Sequence, residues 1–175
     1  NLFLAVIPFA ITTYLMSNPK LNKFGLLVWF SVWLLFLPNA PYIVTDLIHI
    51  RLSKLHLIWF DVLIIGSFAI NGLLLFYLSI LDMKIVLKPF LKERLIKHIA
   101  FAILFLSSFG VYLGRFLRYN SWEIIQNPWN LFSDIINIAI QPSANKQAWL
   151  FTILFGIFLT VGYWMFKKLY SKPST

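Results

Sequence analysis

Polar side chains that could bind a ligand or transfer a proton are concentrated in PNAPYIVTDLIH, residues 38–49. Asp46 and His49 lie three residues apart, so a helix would place them on one face. A carboxylate beside an imidazole could act as an acid–base pair or bind Zn²⁺ or Mn²⁺. A structural cap or an interhelical hydrogen bond would explain the same pair. The polar residues of this stretch are Asn39, Tyr42, Thr45, Asp46 and His49.

Two further sets of charged residues could take part in chemistry. Arg115 and Arg118 are predicted to lie one helical turn apart, where their guanidinium groups could bind a phosphate or carboxylate, or snorkel at the end of a span. Asp61 stands near the start of an apolar run, and such residues usually face a bundle interior or a cavity. It could pair with Arg115 or His49, hold a cation with Asp46, or only join two helices by an ion pair.

The composition places these residues in a membrane. Hydrophobic residues make up 60% of the chain and charged residues 12%, with a mean hydropathy of +0.81, whereas soluble domains are roughly 45–50% apolar. We expect residues 1–175 to form a single transmembrane domain, and an upstream N-terminus, since the chain begins within an apolar run without Met. The absence of Cys excludes disulfides and thiolate metal sites. Nothing identifies a cofactor.

The apolar runs predict an all-α, polytopic helical bundle with about five transmembrane helices. The expected spans are residues 1–16 (the end of a first span), 24–37, 57–80, 98–117 and 147–166. In addition, residues 128–141 are predicted to form an amphipathic helix in the membrane interface. Its polar stripe comprises Asn130, Ser133, Asp134, Asn137 and Gln141.

The second span should be broken by two prolines. Residues 24–37 would cover ~21 Å as a helix, against a hydrocarbon core of ~30 Å. Pro38 and Pro41 each lack an N–H group, so nearby carbonyl groups lose helical partners at membrane depth. We therefore expect unwound backbone facing a wet cavity, followed by a short helix from Pro41 to about Ile50.

The basic residues predict the orientation. If the spans alternate, ten of the fifteen lysines and arginines lie on one side, which is then cytoplasmic. This places residues 81–97 and the C-terminus in the cytoplasm, and residues 38–56 and 115–146 outside. Basic residues at the ends of apolar runs indicate contact with anionic lipid at the cytoplasmic face, not with nucleic acid. Residues 81–97 are expected to lie on that leaflet, with Glu93 and Lys97 at helical i, i+4 spacing.

Long motifs also carry a family resemblance. They are PNAPYIVTDLIH, WFDVLIIGSFAINGLLLFYLS and GVYLGRFLRYNSWEIIQNP, together with the opening NLFLAVIP. At these motifs the chain resembles a family of bacterial multi-pass membrane proteins classed only as a domain of unknown function. The resemblance implies a protein of the bacterial plasma membrane. It brings no activity, cofactor or catalytic residue.

Three kinds of function follow from these observations. The first is an outward-facing polar pocket that binds an anionic or polar ligand, such as a lipid headgroup, in transport or lipid handling. The second is a membrane-embedded enzyme, metal-dependent or not, that uses Asp46, His49 and Asp61. The third is a structural subunit, and the GxxxG of Gly110 and Gly114 would permit a homo-oligomer. The predicted pocket comprises Asn39, Tyr42, Asp46, His49, Asp61, Arg115 and Arg118.

Overall fold

The computed structural model describes residues 2–18, 22–52, 58–119 and 121–170, with backbone alone for residues 49–52, 123 and 125. Throughout these residues the regular structure is helical, which confirms the predicted all-α fold. The helices are α1 (Leu2–Ser17), α2 (Lys23–Phe36), α3 (Asn39–Tyr42), a 3₁₀ helix (Ile43–Leu52), α4 (Ile58–Leu87), α5 (Glu93–Phe116), α6 (Glu123–Gln126), α7 (Pro128–Ile140) and α8 (Lys146–Tyr170).

Four helical segments of the described chain are long and apolar enough to cross a membrane. Helix α1 is apolar but has 16 residues, or about 24 Å, which is less than the hydrocarbon thickness. The fifth span therefore stays a prediction. The four segments are Lys23–Ile48, Ile58–Leu87, Glu93–Phe116 and Lys146–Tyr170.

The chain divides into two compact units, Asn1–Ala100 and Phe101–Thr175. In the first unit, α1 packs along α4, and α3 contacts both helices. The core is made of large side chains with almost no exposed surface, among them Trp33, Leu37, Phe76, Ile80 and Met83.

In the second unit, α5 and α8 approach each other closely. An added Cβ at Gly156 of α8 would lie 2.6 Å from Cδ1 of Phe105 on α5, and the Ser108 hydroxyl donates to the Thr152 carbonyl oxygen at 2.9 Å. Helix α7 covers one end of this pair. It inserts Leu131 and Ile138 into a cluster with Tyr112, Leu113 and Ala148.

The predicted end of the third span at residue 80 is wrong. Residues 81–97 form the last turns of α4, a tight turn and the start of α5, and their contact with the leaflet stays a prediction. Met83 and Leu87 continue the buried face of α4, so Asp82 and Lys84 do not end the helix, and Pro89 follows its end. Glu93 and Lys97, which have i, i+4 spacing, form an ion pair in which Nζ of Lys97 and Oε1 of Glu93 are 3.0 Å apart.

Candidate functional site

The chain stays helical through Pro38 and Pro41. Pro38, which precedes α3, has φ −61° and ψ −21°, and Ile43, which follows α3, has φ −57° and ψ −29°. The backbone on each side of α3 is therefore in the right-handed helical region. The α2 helix ends, yet Ala40 N–H donates to Leu37 O (3.2 Å) and Tyr42 N–H to Pro38 O (3.1 Å). The predicted unwound backbone is therefore wrong, because the fixed φ of proline suits a helix and tighter turns replace the lost hydrogen bonds.

Two polar side chains of residues 38–49 donate hydrogen bonds to nearby backbone carbonyl groups. Asn39 Nδ2 donates to Phe36 O at 2.8 Å, taking the place of the Ala40 N–H that has moved to Leu37 O. Thr45 Oγ1 donates to Tyr42 O at 2.6 Å. Both groups thus have a structural role, since a carbonyl group without a donor is costly in a membrane.

Residues 38–45 also pack closely against α4. Ala40, Pro41 and Thr45 are buried, and α3 lies against α4 at Gly72. A Cβ at Gly72 would come within 2.5 Å of Ala40 O and 3.3 Å of Ile43 Cδ1. The two backbones therefore approach as closely as glycine alone permits.

The acidic candidates of the first unit lie on neighbouring elements. Asp46 is half-buried in the 3₁₀ helix, one turn before His49, and Asp61 is half-buried in the first turn of α4. The 3₁₀ helix packs along α4. Among the described residues, no three His, Cys, Asp or Glu form a group able to hold a metal ion. The His49 side chain and all of His56 lie outside the described part, so the roles of Asp46, His49 and Asp61 stay predictions.

Arg115 and Arg118 do not share a helical face, and that prediction is wrong. Helix α5 ends at Phe116, and Arg118 lies beyond it with φ 62°. The backbone N–H of Tyr119 returns to Leu113 O at 3.1 Å, which closes the turn around Arg118. Arg115 is half-buried and Arg118 is exposed. The expected pairing of Asp61 with Arg115 stays a prediction.

A polar contact that the sequence analysis missed fixes this turn. The Tyr119 hydroxyl donates to Asp134 Oδ2 of α7 at 2.8 Å, and Trp149 Nε1 of α8 donates to Ile138 O at 3.0 Å. Both bonds hold α7 across the ends of α5 and α8. Asp134 belongs to the predicted polar stripe, but its position between Leu131 and Ile138 could have marked it as facing inward.

Exposed aromatic and aliphatic residues flank the turn at Arg118 in the sequence. Phe116 and Leu117 precede it, Trp122 follows it, and Trp129 at the start of α7 is 86% exposed. Tryptophan is typical of the membrane–water interface, where lipid headgroups lie. The sequence around Arg118 therefore has the composition of an interfacial segment.

Two polar contacts inside the first unit were also missed. Trp33 Nε1 donates to Ser79 Oγ at 2.7 Å in a buried site, and the buried Thr12 side chain hydrogen-bonds Asp82. Ser79 and Asp82 are one turn apart on α4 and join it to α2 and α1. Such bonds fix the packing of helices in lipid, where the hydrophobic effect does not drive association.

These features define a class: a multi-pass helical membrane protein. Within that class, the chain belongs to the family described as Protein of unknown function (DUF1361), whose model matches residues 1–161. No curated protein matches the chain, and no solved structure matches it.

Proposed function

We propose that the Phe101–Thr175 unit binds the anionic headgroup of a phospholipid through Arg115 and Arg118, and that the protein handles lipid in the membrane. A guanidinium group presents several N–H donors in a plane and binds phosphate through paired hydrogen bonds. Phosphate is the anion most abundant at the depth that the neighbouring tryptophans favour. The charge count of the loops supports an outward orientation for this site.

The conformation of Arg118 is the observation that carries the proposal. A residue other than glycine at φ 62° costs roughly 1–2 kcal/mol, because its Cβ approaches the following carbonyl oxygen. Tyr119 holds the turn at two atoms, its backbone N–H and its hydroxyl. Strain of this kind is typical of functional positions, where the side chain is needed for more than the fold.

The position of Arg115 supports the same site. It lies in the last turn of α5, where a basic residue also interacts favourably with the helix dipole. That interaction alone would explain Arg115, but it does not extend to Arg118, which stands outside the helix. We therefore propose that both arginines contact the headgroup and that Arg118 is the more exposed of the two.

Arg118→Gly tests this proposal, because glycine keeps the turn and removes the guanidinium group. We expect the variant to be as stable as the wild type or more stable by about 1 kcal/mol. Its retention of phosphatidylglycerol should fall about fivefold, the change expected for one basic residue beside an anionic surface. Native mass spectrometry of protein released from nanodiscs of phosphatidylglycerol and phosphatidylcholine measures the retention.

Lys146→Gln is the matched control, since it removes one charge from an exposed residue of the same unit. The control should keep its phosphatidylglycerol, while Arg115→Gln should lose it as Arg118→Gly does. Equal retention in Arg118→Gly and Lys146→Gln would contradict the proposal and favour a purely structural turn.

A further inference from the structure

A cleft of about 250 Å³ opens in the Asn1–Ala100 unit where α1 ends, α2 begins and α4 ends. Its walls come from separate helices and are largely apolar. Asn18 and Pro89 also border it. An elongated apolar group would fit between these walls, and the side chains that form them are Leu15, Met16, Leu26, Ile85, Val86 and Phe90.

Two lysines are sequence neighbours of the residues that line the α4 side of this cleft. Lys88 immediately precedes the wall residues Pro89 and Phe90, and Lys84 precedes Ile85. Both lysines act electrostatically on Glu93, which also forms an ion pair with Lys97. Residues 82–97 carry five basic side chains against Asp82 and Glu93, so this end of the unit has a net positive charge.

We propose that this cleft binds one acyl chain of an anionic phospholipid, whose phosphate lies at Lys88. The apolar walls match the chain, and the basic rim matches the phosphate. A soluble anion would leave the walls exposed, and the position of Lys88 beside the wall residues Pro89 and Phe90 favours an anionic headgroup over a neutral one. This cleft is independent of the site proposed at Arg115 and Arg118, because the cleft belongs to the Asn1–Ala100 unit and the two sites share no residue.

A photoactivatable phospholipid locates the bound chain directly. The protein is placed in nanodiscs containing phosphatidylglycerol or phosphatidylcholine with a diazirine in the acyl chain, and the labelled peptides are mapped after irradiation. We expect phosphatidylglycerol to label Leu15, Met16, Leu26 and residues 85–90 in preference to phosphatidylcholine. Equal labelling by the two lipids would overturn the proposal.

Filling the cleft should abolish this labelling. Ile85 lines the cleft but is 49% exposed, so Ile85→Trp adds bulk there without entering the core. Ile70→Trp is the control, because Ile70 is 60% exposed on the same helix and does not line the cleft. Unchanged labelling in a folded Ile85→Trp protein would overturn the proposal.

Removing the charge tests the headgroup separately and does not depend on the tryptophan variant. Lys88→Gln should reduce phosphatidylglycerol labelling about fivefold, as expected for one lysine near an anionic surface. Lys92→Gln removes an exposed lysine nearby and should not reduce it; equal losses in the two variants would contradict a site at Lys88. Arg118→Gly should leave the labelling unchanged, so failure at one site is distinguishable from failure at the other.

Discussion

Replacing Gly72 by alanine is expected to destabilise the Asn1–Ala100 unit by about 3 kcal/mol, the upper part of the range for overpacking. The new Cβ would lie 2.5 Å from Ala40 O. That atom belongs to the backbone of Ala40, which lies between Pro38 and Pro41, so it cannot move as a flexible side chain would. Relief requires α3 to separate from α4, which also disturbs the buried residues Pro41 and Thr45.

Gly66→Ala provides the matched control on the same helix. An added Cβ at Gly66 meets nothing within 4 Å, and alanine is favoured over glycine in a helix by about 1 kcal/mol. Thermal unfolding of both variants in the same detergent should therefore show a large loss for Gly72→Ala and none for Gly66→Ala. Similar midpoints of thermal unfolding in the two variants would show that α3 is not packed against Gly72.

Trp33→Ala should have a still larger effect, a loss of about 4 kcal/mol, in the range for removing a large buried side chain. The indole has no exposed surface, contacts the Phe30 ring with centroids 5.4 Å apart, and donates to Ser79. Most of the loss should come from packing, because a hydrogen bond between membrane helices contributes about 0.6 kcal/mol on average.

Two further variants separate these contributions. Trp59→Ala removes an indole that is 65% exposed on α4 and should change stability little, while Ser79→Ala removes the hydrogen-bond acceptor alone. The midpoint of denaturant unfolding should fall steeply for Trp33→Ala and slightly for Ser79→Ala. If Trp33→Ala and Trp59→Ala unfold alike, Trp33 does not hold α2 against α4.

Much of the fold can be predicted because apolar runs of sufficient length have few alternatives in a membrane. The amphipathic helix was predicted over residues 128–141 and observed as Pro128–Ile140. The error over residues 81–97 arose because Asp82 and Lys84 resemble a loop in composition. A single charged residue does not end a helix when the apolar period continues through Met83 and Leu87.

The helical path through Pro38 and Pro41 does not follow from the prolines alone. Proline removes a donor, and this loss by itself predicts that the chain unwinds. The lost donors were replaced locally, by the Asn39 amide and by shorter helical turns, and a count of missing N–H groups does not reveal these replacements. A polar residue beside a proline can therefore hydrogen-bond the backbone, and its presence alone does not indicate a ligand site.

The candidate site was less predictable, because its contacts join distant residues. Arg115 and Arg118 have helical spacing, but the helix ends between them, and no glycine marks the left-handed turn. Tyr119 meets Asp134 across a separate helix, and Thr12 meets Asp82 seventy positions away. Such pairs depend on packing that local sequence does not specify.

The central claim is that the guanidinium groups of Arg115 and Arg118 contact a lipid phosphate. Solid-state NMR can measure the dipolar coupling between labelled arginine nitrogens and the phosphorus of phosphatidylglycerol in a bilayer. We expect strong coupling in the wild type that falls in Arg118→Gly and falls further when Arg115→Gln is added, with Arg51 and Arg94 retained throughout. A double variant with the coupling of the wild type, or no coupling in the wild type, would show that Arg115 and Arg118 do not contact a lipid phosphate.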